Sequence, residues 1–106
     1  MPLPRISIDS TELVSASAAA SGSVSVPNCQ SYWINRFDTT ITVGADVYLE
    51  ASRDGAVWLP LAATLTASQF TIIDRPFKVM RVRWANNTGL VTVGVEQFAS
   101  NPLGML

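Results

Sequence analysis

The chain has 106 residues, 48% of them hydrophobic and only 14% charged, with 7 basic against 8 acidic side chains and a net charge of -1. That length fits one domain able to bury a core without disulfides or metals, and it leaves no room for a second. The near-neutral balance excludes a whole-molecule field that would draw the protein to nucleic acid or an anionic membrane, so partners must be sought through shape and apolar contact.

Nearly every segment reads as strand. "RISID" at 5–9 alternates Ile6 and Ile8 with polar neighbours, the period of a strand with one covered face. "TELVSASAAASGS" at 11–23 is Ser/Ala-rich, and its serines interrupt any helical stripe, so an extended segment and a loop are expected. "SVSV" alternates again and stops at Pro27-Asn28, a turn pair that removes a ladder donor. "CQSYWINRF" at 29–37 has the aromatic and β-branched content of a strand buried in part on both faces.

"DVYLEAS" places Val47, Leu49 and Ala51 on one face, and "AVWLPLA" places Val57, Leu59 and Leu61 opposite Trp58 and Pro60. Asp54-Gly55 between them predicts a tight hairpin, because glycine has no Cβ to clash at positive φ and aspartate tolerates it. Pro60 cannot donate to a ladder, which marks an edge or a bulge. "QFTII" at 69–73 runs into an Asp74-Arg75-Pro76 turn. "FKVMRVRWA" then aligns Met80, Val82 and Trp84, and after "NNTG" the run "LVTVGVEQF" aligns Val91, Val93 and Val95; the two are expected to form a second hairpin.

About eight short strands at spacings of roughly 8–12 residues predict an all-β, single-domain β-sandwich of jelly-roll type with extended N- and C-terminal arms. The division is an arm and Ser/Ala-rich segment over 1–22, the sandwich over 23–98 and an apolar tail over 99–106. The expected core is Val47, Leu49, Val57, Leu59, Leu61, Met80, Val82, Trp84, Val91, Val93 and Val95. The structural turns are Asp54, Gly55, Asp74 and Pro76. Leu3, Ile6, Ile8, Pro102, Leu103, Met105 and Leu106 make the ends apolar and nearly uncharged, so they are the expected interface, since such termini fray unless docked.

Chemistry is scarce. Histidine is absent, which removes zinc, copper and iron sites built on His and Cys, and any Ser-His-Asp or Cys-His nucleophile; no cofactor, metal or enzymatic activity is expected. The single Cys29 cannot close an internal disulfide and reads as a small core hydrophobe in a protein matured under reducing conditions. No apolar run approaches the roughly 20 residues that span a bilayer, and "MPLPRISIDSTELV" lacks the pattern of a signal peptide. Arg75, Lys78, Arg81 and Arg83, with Trp84, Tyr32 and Trp33, raise the idea of a stacking platform for single-stranded nucleic acid. The acidic residues offset them, and Arg81 and Arg83 are expected to pair with Glu50, Glu96 or Asp74. Trp33, Trp58 and Trp84 raise a glycan platform, against which stands core or interface duty. The carboxylate pairs Asp46 with Glu50 and Asp54 with Asp74 read as turn caps before glycosidic acids, and the Asn86 "NNT" triplet is a weak glycosylation match.

The succession of a Ser-x-Asp-Gly-x-x-Trp hairpin (Ser52, Asp54, Gly55, Trp58), "TIIDRPFKVMRVRW" and a final Val-x-Val-x-Val strand resembles small β-sandwich virion proteins of tailed bacteriophages, the capsid decoration or cement proteins and related tail modules. The likeness covers about residues 45–97. It implies a non-enzymatic structural protein that stabilises a capsid shell through oligomeric contacts and terminal arms. The implied partners are itself, as dimer or trimer, and the major capsid protein or other virion proteins, within a virion assembled in the host cytoplasm. A tail, baseplate or fibre module and a carbohydrate-binding β-sandwich are the alternatives.

Overall fold

The alternating runs become eight strands: β1 (Ile6–Ala16), β2 (Gly22–Ser25), β3 (Ile34–Ile41), β4 (Asp46–Ser52), β5 (Leu59–Pro60), β6 (Gln69–Ile73), β7 (Val79–Ala85) and β8 (Val91–Ser100). The structure is a computed structural model and describes residues 6–16, 21–42, 44–85 and 89–100. Two antiparallel sheets result, ordered β1-β8-β3-β6 and β2-β7-β4-β5.

This order is that of a jelly roll. The pairs β1–β8, β2–β7, β3–β6 and β4–β5 are the successive rungs of one long antiparallel ribbon, and the contacts β3–β8 and β4–β7 form where the ribbon rolls onto itself. Every consecutive step along the chain crosses from one sheet to the other except β4 to β5. The single local hairpin therefore sits at the tip of the ribbon.

Period-2 burial puts the core between the sheets. In one, Val47 pairs with Trp84, Leu49 with Val82 and Ala51 with Met80; in the other, Val91, Val93 and Val95 stand beside Ile41, Thr39 and Phe37. Val47, Leu49, Met80, Val82, Val91, Val93 and Val95 are fully buried, together with Phe37, and Leu61 and Trp84 pack half-buried against them. Each full burial of such a side chain contributes about 1.5–3 kcal/mol before chain entropy is counted.

Two residues expected in that core are outside it: Val57 and Leu59 are each 65% exposed. The cause lies in the Ser52–Gly55 turn. Asp54 Oδ1 accepts hydrogen bonds from Ala56 N at 2.9 Å and Val57 N at 3.1 Å, and Ser52 Oγ accepts from Gly55 N at 2.8 Å, with Gly55 at φ 80°. The chain curls through residues 53–58 before pairing resumes at Ala51 with Leu59, so the connection is a wide loop and not a two-residue turn. Val57 lies on that curl. Leu59 is on the side of Ala51 but at a two-residue rim strand, where the described residues leave it open.

The first expected hairpin forms, as β4 and β5 with a wider loop, but the expected second one does not. β7 and β8 lie in opposite sheets, and their inward rows meet across the core. Asp74 and Pro76 stand exposed in the connection from β6 to β7.

At the N-terminal end, residues 6–16 of the segment read as an arm are the edge strand β1, with Ile6 opposite Ser100 and Ile8 opposite Phe98. Gly22, at the end of that segment, already pairs with Trp84. Leu3, Pro102, Leu103, Met105, Leu106 and Asn86 lie outside the described residues.

Polar groups also enter the interior. Asn35 and Gln97, cross-strand neighbours, are fully buried, and Gln97 Nε2 donates to Asn35 Oδ1 at 2.8 Å and to the Pro27 carbonyl at 2.7 Å. Those bonds tie the β2–β3 connection to the sheet, where Asn28 adopts a φ of 52°. Cys29 Sγ donates to the Phe77 carbonyl at 3.2 Å, and burial pushes its thiol pKa up.

Candidate interaction surface

The two outward sheet faces are built from different chemistry. On the face of β7 and β4, register sets Arg81 opposite Glu50 and Arg83 opposite Tyr48. Arg81 Nε donates to Glu50 Oε1 at 2.8 Å, and Arg83 Nε donates to the same oxygen at 3.1 Å. Arg81 also lies 4.1 Å from the Trp58 ring centre and Arg83 3.9 Å from that of Tyr48. The carboxylate is buried under this stack. Of the partners considered for the two arginines, Glu50 holds both, and both cations are turned onto rings of the chain itself, a geometry worth about 0.5–2 kcal/mol per contact.

The outward face of β8, β3 and β6 sets exposed apolar side chains around a few charged ones. Its rows follow from the register: Phe98 beside Ile34, Glu96 beside Arg36 and Ile72, Gly94 beside Asp38 and Phe70. Phe70 is 69% exposed, Ile72 61% and the neighbouring Trp33 52%, with Ile34 also exposed. The one cation in these rows, Arg36, is ion-paired with Glu96 and flanked by the Phe70 and Phe98 rings, 5.7 and 5.6 Å from its Cζ. Its charge is neutralised in place, so it extends the apolar platform. Gly94 serves the same face, since a Cβ there would overlap the Asp38 carboxylate that lies across β8.

A second apolar opening lies at the hairpin tip. Val57, Leu59, Leu61, Pro76 and Phe77 line a groove of about 780 Å³, with Arg53, Asp54 and Lys78 at its border.

The three tryptophans do not share a surface. Trp84 packs on the core, Trp58 lies under Arg81, and Trp33 is open beside Ile34. Among the described residues no group of three or more His, Cys, Asp or Glu is placed to hold a metal, and no helix is long and apolar enough to cross a membrane.

The platform of Trp33, Ile34, Phe70 and Ile72 escaped the sequence reading, which placed the interface at the termini. In "QFTII" the signal was the alternation of Phe70 and Ile72 with Gln69 and Thr71. Assigning the larger pair to the inside is the default, and here it is reversed. Asn35 and Gln97 were likewise invisible, because an isolated amide gives no sign that a partner waits across the sheet.

The architecture defines the class: an eight-stranded jelly-roll β-sandwich that, among the described residues, exposes Ile34, Phe70 and Ile72 on the outward face of one sheet. No family model, curated protein or solved structure matches the chain.

Proposed function

We propose that the chain is a non-enzymatic structural protein of a tailed-phage virion, a decoration or cement protein that lies on the capsid shell and stabilises it. The observation that carries this reading is the exposure of Phe70 and Ile72 on the outward face of β6, with Ile34 and Trp33 also exposed at the start of β3 and the Arg36 cation between them ion-paired with Glu96. Several large exposed apolar side chains on one sheet face favour a protein contact, because leaving them in water is unfavourable and a polar ligand gains little from them. The likeness of residues 45–97 to decoration proteins supplies the shell as the surface to be met. Many weak contacts repeated over a lattice add, so even a modest platform holds each copy in place.

The experiment is addition of the purified protein to undecorated capsids. Bound protein should sediment with the particles and raise the temperature at which they release their genome, and Phe70→Lys with Ile72→Lys should abolish both effects while leaving the fold intact. Particles that neither bind the protein nor gain heat resistance would remove the shell from the proposal. Deleting residues 1–5 and 101–106 separates the terminal arms from the platform: retained binding assigns the contact to the sheet face.

A further inference from the structure

The two sheets have four edges, and three of them are blunted. β1 carries Asp9 and Glu12 and a register shift between Glu12 and Val14. β2 is four residues long, and β5 is two residues with Pro60 as one of them. Charge, bulges, brevity and proline are the devices by which proteins keep sheet edges from pairing with other chains. β6, Gln69–Ile73, has none of them: five regular residues without charge or proline, all paired to β3 on one side and, among the described residues, ending the sheet on the other.

The direction of its free peptide groups follows from β3. Ile41 N donates to Ser68 Oγ at 2.9 Å, on the β6 side, while Thr42 N donates to the Leu90 carbonyl at 3.1 Å, on the β8 side. Peptide groups alternate sides along a strand, so Thr39, Phe37 and Asn35 turn theirs toward β6, where their partners are Gln69, Thr71 and Ile73. Phe70 and Ile72 therefore turn their N–H and C=O groups to the open edge.

A third observation lies between them. Thr71 Oγ1 is buried and has no hydrogen-bond partner. A buried hydroxyl left unpaired is unfavourable, and a group facing it from beyond the edge would supply the missing partner.

We propose that β6 pairs antiparallel with β6 of a second copy of the chain, about a two-fold axis passing beside Thr71. In this register Phe70 exchanges both backbone hydrogen bonds with the partner's Ile72, and Ile72 does so with the partner's Phe70. The two Thr71 residues then form a narrow, non-hydrogen-bonded pair with Cα atoms about 4.5 Å apart, close enough for their hydroxyls to bond. A second copy fits where an unrelated strand would not, because the same register that satisfies the backbone places Thr71 against Thr71 and aromatic against β-branched residue on the outer face. An isologous contact of this kind closes at two copies. It also joins the two apolar platforms side by side on one continuous sheet. The pairing deepens the self-association in the function proposed above, yet it requires no shell.

Five residues a side bury less than the roughly 1,200 Å² of a standard interface, so the free dimer is weak, with a dissociation constant on the order of 10–100 μM. Sedimentation velocity across that range should show a monomer converting to a dimer. Ile72→Pro removes a donor that faces the open edge together with the exposed side chain, so Ile72→Ala, which keeps the N–H, is its control: the circular dichroism spectrum should be retained in both while the dissociation constant of Ile72→Pro rises by about tenfold or more over that of Ile72→Ala. Register is read independently by Thr71→Cys, which should crosslink into dimers under oxidised glutathione. Asp74→Cys should not, because in this register the two positions 74 lie about 20 Å apart. A monomer throughout the range, a dimer undiminished by Ile72→Pro, or crosslinking through position 74 as readily as through 71 would each overturn the pairing. Capsid binding by a monomeric Ile72→Pro protein equal to that of Ile72→Ala would leave the shell reading standing without the pairing.

Discussion

The Arg83 guanidinium holds the Glu50 carboxylate at two points, Nε to Oε1 at 3.1 Å and Nη2 to Oε2 at 3.3 Å. Arg81 takes a third bond to Oε1, so one buried acid organises two cations that would otherwise repel across the face of β7. Removing the acid exposes the asymmetry of such a group: the arginines keep their charge and lose its compensation. Glu50→Ala should lower stability by about 2–3 kcal/mol in urea unfolding at neutral pH. Arg83→Ala should cost less, because Arg81 still neutralises the acid. Equal losses would show that the carboxylate is not the organising member.

Gln97 and Asn35 place a second polar contact wholly inside the sandwich. Replacing Gln97 with Leu leaves the Pro27 carbonyl and the Asn35 side chain without their donor, at an expected cost of about 2–4 kcal/mol. With Asn35→Leu already in place, the same change should cost at least about 1 kcal/mol less, since one orphaned group has gone. Additive losses in this double-mutant cycle would mean that the two amides act separately.

Acid should weaken the fold through two carboxylates. The N–H groups of Ala56 and Val57 and the Ser52 hydroxyl hold the Asp54 pKa below its ordinary value. For Glu50 the leading cause is the Arg83 hydrogen bond, opposed by burial and reinforced by Arg81. A carboxyl with a depressed folded pKa contributes stability that is fully present above its unfolded pKa and is lost as pH falls through the folded one. These groups therefore make no slope between about pH 6 and 8 and begin to destabilise the protein below about pH 4. Asp54→Asn keeps an oxygen acceptor but does not titrate there, so its melting temperature should fall less steeply in acid than that of the parent. An unchanged acid slope would remove the turn as a source of acid sensitivity.

Legibility in the sequence followed the reach of each signal. Period-2 rows of valine and leucine between Val47 and Val95 marked strands and a two-sheet sandwich, because burial of one face repeats every second residue whatever the topology. Partner choice is non-local: nothing in "FKVMRVRWA" or "LVTVGVEQF" says that β7 and β8 belong to opposite sheets. Val57 and Leu59 carried the right period in the wrong place, since the Asp54 side chain captured the amides of Ala56 and Val57 and spread the hairpin. The exposed Phe70 and Ile72 were hidden by the reverse effect, large side chains on the outside of a strand whose inward row is Thr71 and Ile73. Their exposure follows from the register of β6 on β3, which turns Phe70 and Ile72 outward and Ile73 inward and which no local pattern records.

Gly22 is fixed by its partner in β7. A Cβ at this position would stand 2.7 Å from Cζ2 and 3.1 Å from Cη2 of Trp84, inside contact distance of a ring that packs against the core. Unlike the end of a flexible chain, an indole held between sheets has no open rotamer to take, so Gly22→Ala should destabilise by about 1–3 kcal/mol as an overpacked site. Gly94→Ala meets only the Asp38 carboxylate, on an exposed side chain free to swing away, and should cost clearly less. Shrinking the ring provides the internal control: in a Trp84→Leu background the Gly22→Ala penalty should largely disappear. Thermal unfolding of the four proteins decides the matter, and a Gly22→Ala penalty that persists without the indole would place its origin in the β2 backbone and not in the contact with Trp84.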